Sequence, residues 1–146
     1  MIALLQRVSE AAVHIGGEPV GTIGPGLMVL VAVHRDDEPR DVERLSERIL
    51  GYRVFPDEAG RMNLSVADTA GGLLLVPQFT LAADTKKGTR ASFTRAAAPE
   101  KGEAYFDDLV AICRQRHAQV ETGRFGADMQ VSLTNDGPVT FWLETR

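Results

Sequence analysis

Two short polar segments that follow apolar runs contain the residues that could take part in chemistry. The first, Pro77-Gln78-Phe79-Thr80-Leu81, comes directly after the apolar run Leu73 to Val76. A chain that leaves a strand can direct successive N–H groups into a cleft, where they would bind an anion. The second, Asn135-Asp136-Gly137-Pro138-Val139-Thr140, interrupts a strand-like pattern. Because Pro cannot donate to a ladder and either isomer of an X-Pro bond is accessible, this segment can hold backbone carbonyls in an unusual direction.

Taken alone, the polar side chains of both segments also have a structural interpretation. Gln78 and Thr80 would form loop hydrogen bonds, and Asn135 and Thr140 would stabilise a turn. The residue types by themselves favour these structural roles.

Other catalytic sets are missing from the sequence. Its three histidines are scattered without metal-ligand spacing, and Cys113 has no cysteine partner, so a zinc site is not expected. There is no phosphate loop, dinucleotide fingerprint or Gly-x-Ser-x-Gly turn. Cys113 lies on the apolar face of a predicted helix, where a small core side chain is the expected role. The sequence therefore predicts neither a metal nor a cofactor.

Length and composition predict one soluble domain that covers residues 1–146. The apolar fraction of 44% and the charged fraction of 25% are ordinary for a globular protein of this size. The longest apolar run, residues 27–33, is too short to cross a membrane, and the N-terminus lacks the features of a signal peptide. A single cysteine fits a reducing compartment, so a cytoplasmic protein is expected.

The net charge of −4 argues against broad, non-specific binding to nucleic acid, which requires positive charge to release counterions. A local basic patch is still available, because Lys86, Lys87, Arg90 and Arg95 lie within ten residues. Composition alone makes this a solvated loop. Residues 82–99 as a whole form a long polar segment without periodicity, and a loop of that length in a small domain is more often functional than idle.

The order of the apolar patterns predicts an α+β fold. Gly16-Gly17 is a hairpin signal, and residues 27–33 and 73–76 are continuously apolar, as in strands buried on both faces. One helix should be capped by Asp36 or Asp37 and end near Gly51, and a second should start near Pro99. The fold class is therefore a single α+β domain with a mixed, largely antiparallel, barrel-like sheet and two main helices.

The two polar segments resemble the two motifs of the D-aminoacyl-tRNA deacylases, Ser-Gln-Phe-Thr and Asn-x-Gly-Pro-x-Thr. The chain has Gln78-Phe79-Thr80 from the first motif, with Pro77 in place of Ser, and all fixed positions of the second. The similarity extends from the N-terminal Met-Ile-Ala-Leu-Leu-Gln-Arg-Val to Phe141-Trp142-Leu143, and it includes residues 61–64 and 84–88. Two motifs at family-like spacing make the resemblance specific.

The resemblance implies an enzyme that hydrolyses the ester between a D-amino acid and the terminal adenosine of tRNA. It implies a homodimer with a cross-subunit active site, in which a Gly-cis-Pro motif, here Gly137-Pro138, reaches into the partner's pocket. The two carbonyls would bind the substrate's amino group and leave no room for an L side chain, so selectivity arises by exclusion. Glycyl-tRNA has no side chain to exclude and would also be accepted.

The resemblance also assigns roles to single residues. Gln78, Phe79 and Thr80 form the catalytic segment, with oxyanion stabilisation by backbone N–H groups near Phe79 and Thr80 and attack by water that the ribose 2′-hydroxyl assists. Thr80 is expected to be structural, because nothing near it in sequence would activate a nucleophile. The other expected contacts are to the substrate (Asn135, Thr140, Met129, Phe125 and Arg7) and to acceptor-stem phosphates (Lys86, Lys87 and Arg90).

Pro77 is the departure from the family pattern, and it leaves alternatives open. A related deacylase branch has Pro-Gln-x-Thr here, with a trans Gly-Pro bond, and edits L-alanyl-tRNA. This chain keeps Phe79 and Arg7, as the D-specific branch does, so the D-specific activity is expected. The second alternative is a non-catalytic aminoacyl-tRNA-binding module, and the third is an interaction protein that docks a partner through residues 82–99.

Overall fold

The computed structural model describes all residues, 1–146, and contains eight strands and three helices. A 3₁₀ turn at Phe79–Ala82 follows the sixth strand. The helices are α1 (Pro39–Gly51), α2 (Val66–Thr69) and α3 (Pro99–Arg116). The strands are β1 (Ile2–Ile15), β2 (Glu18–Ile23), β3 (Gly26–Ala32), β4 (Phe55–Pro56), β5 (Met62–Leu64), β6 (Gly72–Pro77), β7 (Val120–Thr122) and β8 (Gln130–Glu144).

The main sheet is mixed, and its long first strand is shared between two sets of partners. Residues 2–8 of β1 pair with β3, residues 11–15 pair with β2, and β8 runs along the other side of nearly the whole strand. These pairings are antiparallel, whereas β3, β6 and β7 are parallel neighbours. A Cβ on Gly21 of β2 would lie 2.8 Å from the carbonyl oxygen of Thr122 on β7. The two ends of the sheet therefore meet, and the sheet is a nearly closed barrel.

The core has two faces because alternate residues of each strand point to opposite sides. Leu27, Val29 and Leu73 pack towards α1 and α3, while Met28 and Leu74 pack on the other face. Parallel strands joined by helical crossovers are buried in this way, which explains the continuous apolar runs. The predicted fold class, an α+β domain with a mixed, barrel-like sheet and two main helices, is confirmed.

Helix α1 begins one residue later than the predicted caps. Glu38 is the N-cap and Pro39 occupies the first turn. Asp37 is unavailable as a cap because its buried carboxylate accepts hydrogen bonds from the Met1 amino group (2.8 Å) and from the His34 N–H (2.7 Å). The prediction of Asp36 or Asp37 is therefore wrong, whereas the predicted end at Gly51 is confirmed.

A second buried carboxylate holds the C-terminal residue against α1. Asp41 accepts hydrogen bonds from the Glu38 N–H (2.8 Å) and from the Arg146 guanidinium (2.9 Å). Burial raises the pKa of Asp41, but the hydrogen bonds from Arg146 and Glu38 outweigh burial and hold the pKa well below its usual range. Asp41 is therefore ionised at neutral pH.

None of the helices combines the length and the apolar character that crossing a bilayer requires.

Candidate functional site

The segment that follows β6 presents backbone N–H groups at the end of the sheet. The Gln78 N–H makes a last bond to the sheet, to the Val31 carbonyl (2.7 Å), and the chain then enters the 3₁₀ turn. The first N–H groups of such a turn, those of Phe79 and Thr80, have no acceptor within it, and no side chain caps the turn. The Gln78 amide instead donates to the Thr80 hydroxyl (2.5 Å). The segment is thus a short, exposed run of potential anion donors.

Pro77 fits this position without loss of a ladder bond. The backbone hydrogen-bonding groups of residues 76 and 78 point towards β3, since the Gln78 N–H donates to the Val31 carbonyl. Those of residues 75 and 77 point towards β7, since the Leu75 carbonyl accepts from the Gly123 N–H (2.9 Å). Strand β7 pairs only as far as Leu75, so it has ended before Pro77. An N–H at position 77 would therefore point past the end of β7, where no strand is available to accept it, so proline loses no hydrogen bond there.

An apolar cavity of about 280 Å³ opens beside this segment. Phe79, a residue that is 56% exposed, is at its rim. Its walls come from β3, from the N-terminal end of α3 and from the turn after β7. The main lining residues are Val31, Val33, Gln78, Phe79, Phe106 and Phe125. Enclosed apolar surface next to convergent polar groups is the usual form of a small-molecule site.

The long segment after the 3₁₀ turn is a pinned loop. Asp84 and Ser92 exchange two backbone hydrogen bonds (2.8 and 3.1 Å), and the Ala97 N–H donates to Val33 (2.9 Å). Between these anchors, the ring of Phe93 packs against Phe79 at a centroid distance of 5.2 Å. The loop thereby supports the rim of the cavity.

Three of the four basic residues of this loop share its tip. Lys86, Lys87 and Arg90 lie between the paired residues Asp84 and Ser92, and all three are exposed. Arg95 is separate, because it lines a polar cleft at the base of the loop. The basic patch therefore consists of Lys86, Lys87 and Arg90, and Arg95 does not belong to it.

That polar cleft also contains Thr80 and His34. The His34 ring makes no hydrogen bond with Thr80, and burial together with the positive N-terminus lowers the pKa of His34. The Thr80 hydroxyl thus has an amide donor, Gln78, and no bound base. Elsewhere, burial raises the pKa of Cys113 to about 12, which makes that thiol inert. No three His, Cys, Asp or Glu side chains converge as a metal site would require.

The second polar segment forms a bulge in β8. Asn135 pairs with Val8 and Thr140 with Gln6, so Arg7 alone faces the four residues between them. Gly137 and Pro138, joined by a cis peptide bond, lie exposed on this bulge. We call residues 135–140 the projection.

Hydrogen bonds from side chains within the projection and from Arg7 on β1 hold the projection in shape. The Asn135 side chain accepts from the Val139 N–H (2.7 Å) and donates to the Val139 carbonyl (3.2 Å) and the Thr140 hydroxyl (3.0 Å). Arg7 donates to the carbonyls of Asp136 (2.9 Å) and Val54 (2.6 Å). Asn135, Thr140 and Arg7 thus hold the shape of the projection within this chain.

The cavity and the projection lie apart within one chain. Val31, at the cavity, pairs with Ala3, whereas Asn135 pairs with Val8. The step of five residues from Ala3 to Val8 corresponds to about 17 Å along β1. No residue of the projection lines the cavity.

The two remaining predicted residues are placed differently. Phe125 lines the cavity. Met129 packs with the apolar cluster on the other face of the sheet, and its sulfur would be 2.7 Å from a Cβ on Gly123. The sequence-based reasoning missed Phe93, Gly102 and Phe106. Phe106 falls on the buried face of α3, so periodicity could have indicated it, but no pattern in the loop distinguishes Phe93.

Comparison with known proteins gives a consistent result over the whole chain. The sequence profile of the D-Tyr-tRNA(Tyr) deacylase family matches residues 4–144. The D-aminoacyl-tRNA deacylase of Thioalkalivibrio sulfidiphilus is 68% identical over 99% of this chain and 97% of its own length. A solved structure titled c-Myc DNA Unwinding Element Binding Protein superposes with a TM-score of 0.94 at 38% identity, covering 99% of this chain and 98% of its own.

A more distant solved structure, described as a probable eukaryotic D-amino acid tRNA deacylase, superposes with a TM-score of 0.86 at 18% identity and covers 98% of both chains. The fold is therefore that of the deacylases. With a family profile and close relatives that span its length, the chain belongs to the D-Tyr-tRNA(Tyr) deacylase family, and it is a hydrolase that acts on ester bonds.

Proposed function

We propose that this protein hydrolyses the ester of D-aminoacyl-tRNA and of glycyl-tRNA, and that it releases the free amino acid and tRNA. The observation that carries this proposal is the apolar cavity beside the exposed N–H groups of Phe79 and Thr80. Such a site can hold the apolar end of a substrate while polar backbone groups face the bond to be broken.

The cavity is the proposed site of the terminal adenosine. Bases at single-stranded RNA ends are bound by aromatic stacking and by hydrogen bonds to their edges. Phe79, Phe106 and Phe125 offer apolar and aromatic surface, and the Gln78 amide lies at the same rim. The adenosine in the cavity would place its 3′-ester beside the Phe79–Thr80 backbone.

Hydrolysis needs little more than positioning, because an aminoacyl ester is already activated. The N–H groups of Phe79 and Thr80 are the proposed oxyanion donors, and water is the proposed nucleophile, assisted by the ribose 2′-hydroxyl. Thr80 keeps a structural role: its hydroxyl accepts from Gln78, and no base contacts it.

Selection by chirality is assigned to the projection of a second copy. The carbonyls of Gly137 and Pro138 would bind the substrate's amino group and occupy the space that an L side chain requires. Within one chain the projection lies too far from the cavity to do this, and its exposure leaves it free to enter a partner. The proposed assembly is therefore a homodimer whose active sites each use both subunits.

The loop tip is the proposed contact with the acceptor stem. Lys86, Lys87 and Arg90 are exposed together on a loop whose base supports the cavity rim through Phe93. Contacts to phosphates set the register of the tRNA and carry no sequence information. The tRNA substrate and the single cysteine make the cytoplasm the proposed compartment.

The decisive experiment compares deacylation of D-tyrosyl-tRNA, L-tyrosyl-tRNA and L-alanyl-tRNA by the same preparation, with a chelator present. We expect rapid loss of the D ester and no loss of the L-tyrosyl ester above the rate of spontaneous hydrolysis. The chelator tests whether activity depends on a removable metal ion.

The other outcomes separate the alternatives. Loss of the L-alanyl ester in place of the D ester would favour the L-alanine-editing activity of the branch that has proline at the start of the first motif. Loss of both tyrosyl esters would show that Gly137 and Pro138 do not exclude L side chains. Binding of aminoacyl-tRNA without any cleavage would leave a binding module.

A further inference from the structure

Helix α3 carries a glycine at a position where the helix itself has no need of one. Gly102 is buried in the first turns of α3, and its N–H donates to Ala98 (2.9 Å) in the ordinary helical pattern. Glycine is the least favourable helix residue apart from proline, and alanine is the most favourable. The reason for glycine must therefore lie in what it contacts.

The neighbour of Gly102 is the ring of Phe125. A Cβ at position 102 would lie 3.3 Å from Cζ and 3.4 Å from Cε2 of that ring. This is closer than carbon atoms normally approach, so the ring would have to move by a few tenths of an ångström. Both residues line the cavity, and the cavity is the open space beside the ring.

We propose that Gly102 is a further residue of the substrate site and sets the width of the cavity by leaving room for the Phe125 ring. The inference rests on the proposed function, in which the cavity takes the terminal adenosine. Val31 and Phe106 also line the cavity, and their buried side chains cannot retreat without disturbing the core. The position of the Phe125 ring relative to these side chains therefore sets the room for a flat base, and a side chain at position 102 would reduce that room by displacing the ring.

The site of the reaction would be unaffected by this change. The N–H groups of Phe79 and Thr80 belong to the 3₁₀ turn and not to α3 or the turn at Phe125. A narrower cavity should therefore weaken binding of the adenosine end in the ground state and the transition state alike. That pattern raises KM and leaves kcat unchanged.

The test is the Gly102→Ala variant in the full-length protein. With D-tyrosyl-tRNA, we expect KM to rise about threefold to tenfold with kcat unchanged, as a modest overpacking effect would produce. The Kd of the uncleavable probe 3′-deoxy-3′-(D-tyrosylamino)adenosine should rise by the same factor. The melting temperature should change little, because the gain in helix propensity from alanine offsets the cost of displacing the ring.

Two further variants keep the result interpretable. Gly51→Ala is the matched control, because a Cβ there meets nothing within 4 Å, and its KM should equal that of the wild type. Phe125→Leu removes the ring that a new methyl group at position 102 would push, so adding Gly102→Ala to Phe125→Leu should change neither KM nor the probe Kd. This comparison is made between Phe125→Leu and the double variant, so it does not require Gly102→Ala alone to fold well.

Failure of this inference differs from failure of the proposed function. An unchanged KM and probe Kd in Gly102→Ala, with a wild type that cleaves D-tyrosyl-tRNA, would reject the role of Gly102 only. An equal effect of Gly102→Ala with and without Phe125 would also reject it. If the wild type cleaves no D ester but Gly102→Ala still weakens the probe, the proposed function is wrong and the role of Gly102 stands.

Discussion

The cavity and the projection are built in opposite ways. The cavity is concave and apolar, and its walls come from β3, from the segment after β6, from α3 and from the turn at Phe125. The projection is convex and exposed, and it takes its shape from two side chains within it, Asn135 and Thr140, and from Arg7 on β1. The cavity therefore depends on the packing of several elements, whereas the shape of the projection depends on a few local hydrogen bonds.

This difference indicates how the two regions can work together. The cavity does not contact the substituents of an amino acid that extends out of it. The projection is exposed and has no cavity that could hold the rest of a substrate. The strand register separates them in one chain by about 17 Å. A second copy that brings its projection to the cavity would complete the site.

Complementation between two inactive variants should give the largest effect. Phe79→Ala damages the cavity rim, and Gly137→Ala damages the projection, because a Cβ at Gly137 would lie 2.6 Å from the Val139 nitrogen. Each variant alone should lose at least about 100-fold in kcat/KM, since small misplacements at a reacting centre cost that much. Mixed 1:1 after unfolding and refolding together, they should recover about one quarter of wild-type activity, because half the dimers carry one intact site.

The control is the same mixture of each variant with itself, which should recover nothing. A mixture that stays as inactive as its components would show that the cavity and the projection of one chain serve the same site.

Removal of the internal brace should reduce chiral selectivity. Asn135→Ala leaves the Val139 N–H without its acceptor and frees the bulge to move. We expect the ratio of D- to L-tyrosyl-tRNA cleavage to fall about tenfold, which corresponds to about 1.4 kcal/mol of discrimination. Thr140→Ser keeps the hydroxyl that Asn135 contacts and should retain the ratio. An unchanged ratio in Asn135→Ala would show that the brace is irrelevant to selection.

The basic residues at the loop tip should contribute to tRNA binding but not to the selectivity between D and L substrates. In a Lys86→Ala/Lys87→Ala variant, the slope of log affinity against log salt concentration should become shallower by about 1.5, close to two lost phosphate contacts. The control is Arg114→Ala, which removes one exposed positive charge near the far end of α3 and should leave the slope unchanged. Filter-binding titrations between low and physiological salt measure both; equal slopes in all three proteins would reject the contact.

Thr80→Ala should have only a small effect. Its hydroxyl accepts from Gln78 and has no base, so its loss should lower kcat by less than about tenfold. Single-turnover kinetics with D-tyrosyl-tRNA measure this directly. A loss beyond about 1,000-fold in a protein that still folds and dimerises would make Thr80 the nucleophile.

Asp41→Asn should change stability while leaving both regions intact. The folded-state pKa of Asp41 is depressed, so its contribution is complete above the unfolded pKa of about 3.9 and is lost as the pH falls further. The variant should be about 2 kcal/mol less stable at pH 7, as for the loss of hydrogen bonds to a charged group, and the difference should shrink below about pH 4. Urea unfolding at both pH values is the measurement, and the D/L ratio should not change.

Much of the fold could be predicted from the sequence because its signals are local. The continuously apolar runs that became β3 and β6, the Gly16-Gly17 hairpin and Pro39 each act within a few residues. The cap of α1 was predicted wrongly because Asp37 is engaged by Met1, which lies 36 positions away. No local rule reveals such a competitor.

The candidate site could be predicted from the sequence only as two separate segments. The motifs point to Gln78 and Gly137, but the cavity wall contributed by Gly102 and Phe106 depends on how α3 packs on β3. Likewise, Phe93 supports Phe79 only because Asp84 and Ser92 pair and fold the loop back. Such contacts join residues that are far apart in sequence, so neither composition nor local patterns can predict them.

Pro77 shows how a motif can change at its first position without harm to the structure around it. The N–H that proline lacks would have pointed past the end of β7, so a mutation from serine removes no backbone bond of the sheet. Position 77 therefore accepts proline without loss of a sheet hydrogen bond, while Gln78 is held by the Val31 carbonyl and the Thr80 hydroxyl. A search that demanded serine at the start of the motif would pass over this chain, and one anchored on Gln-Phe-Thr would find it.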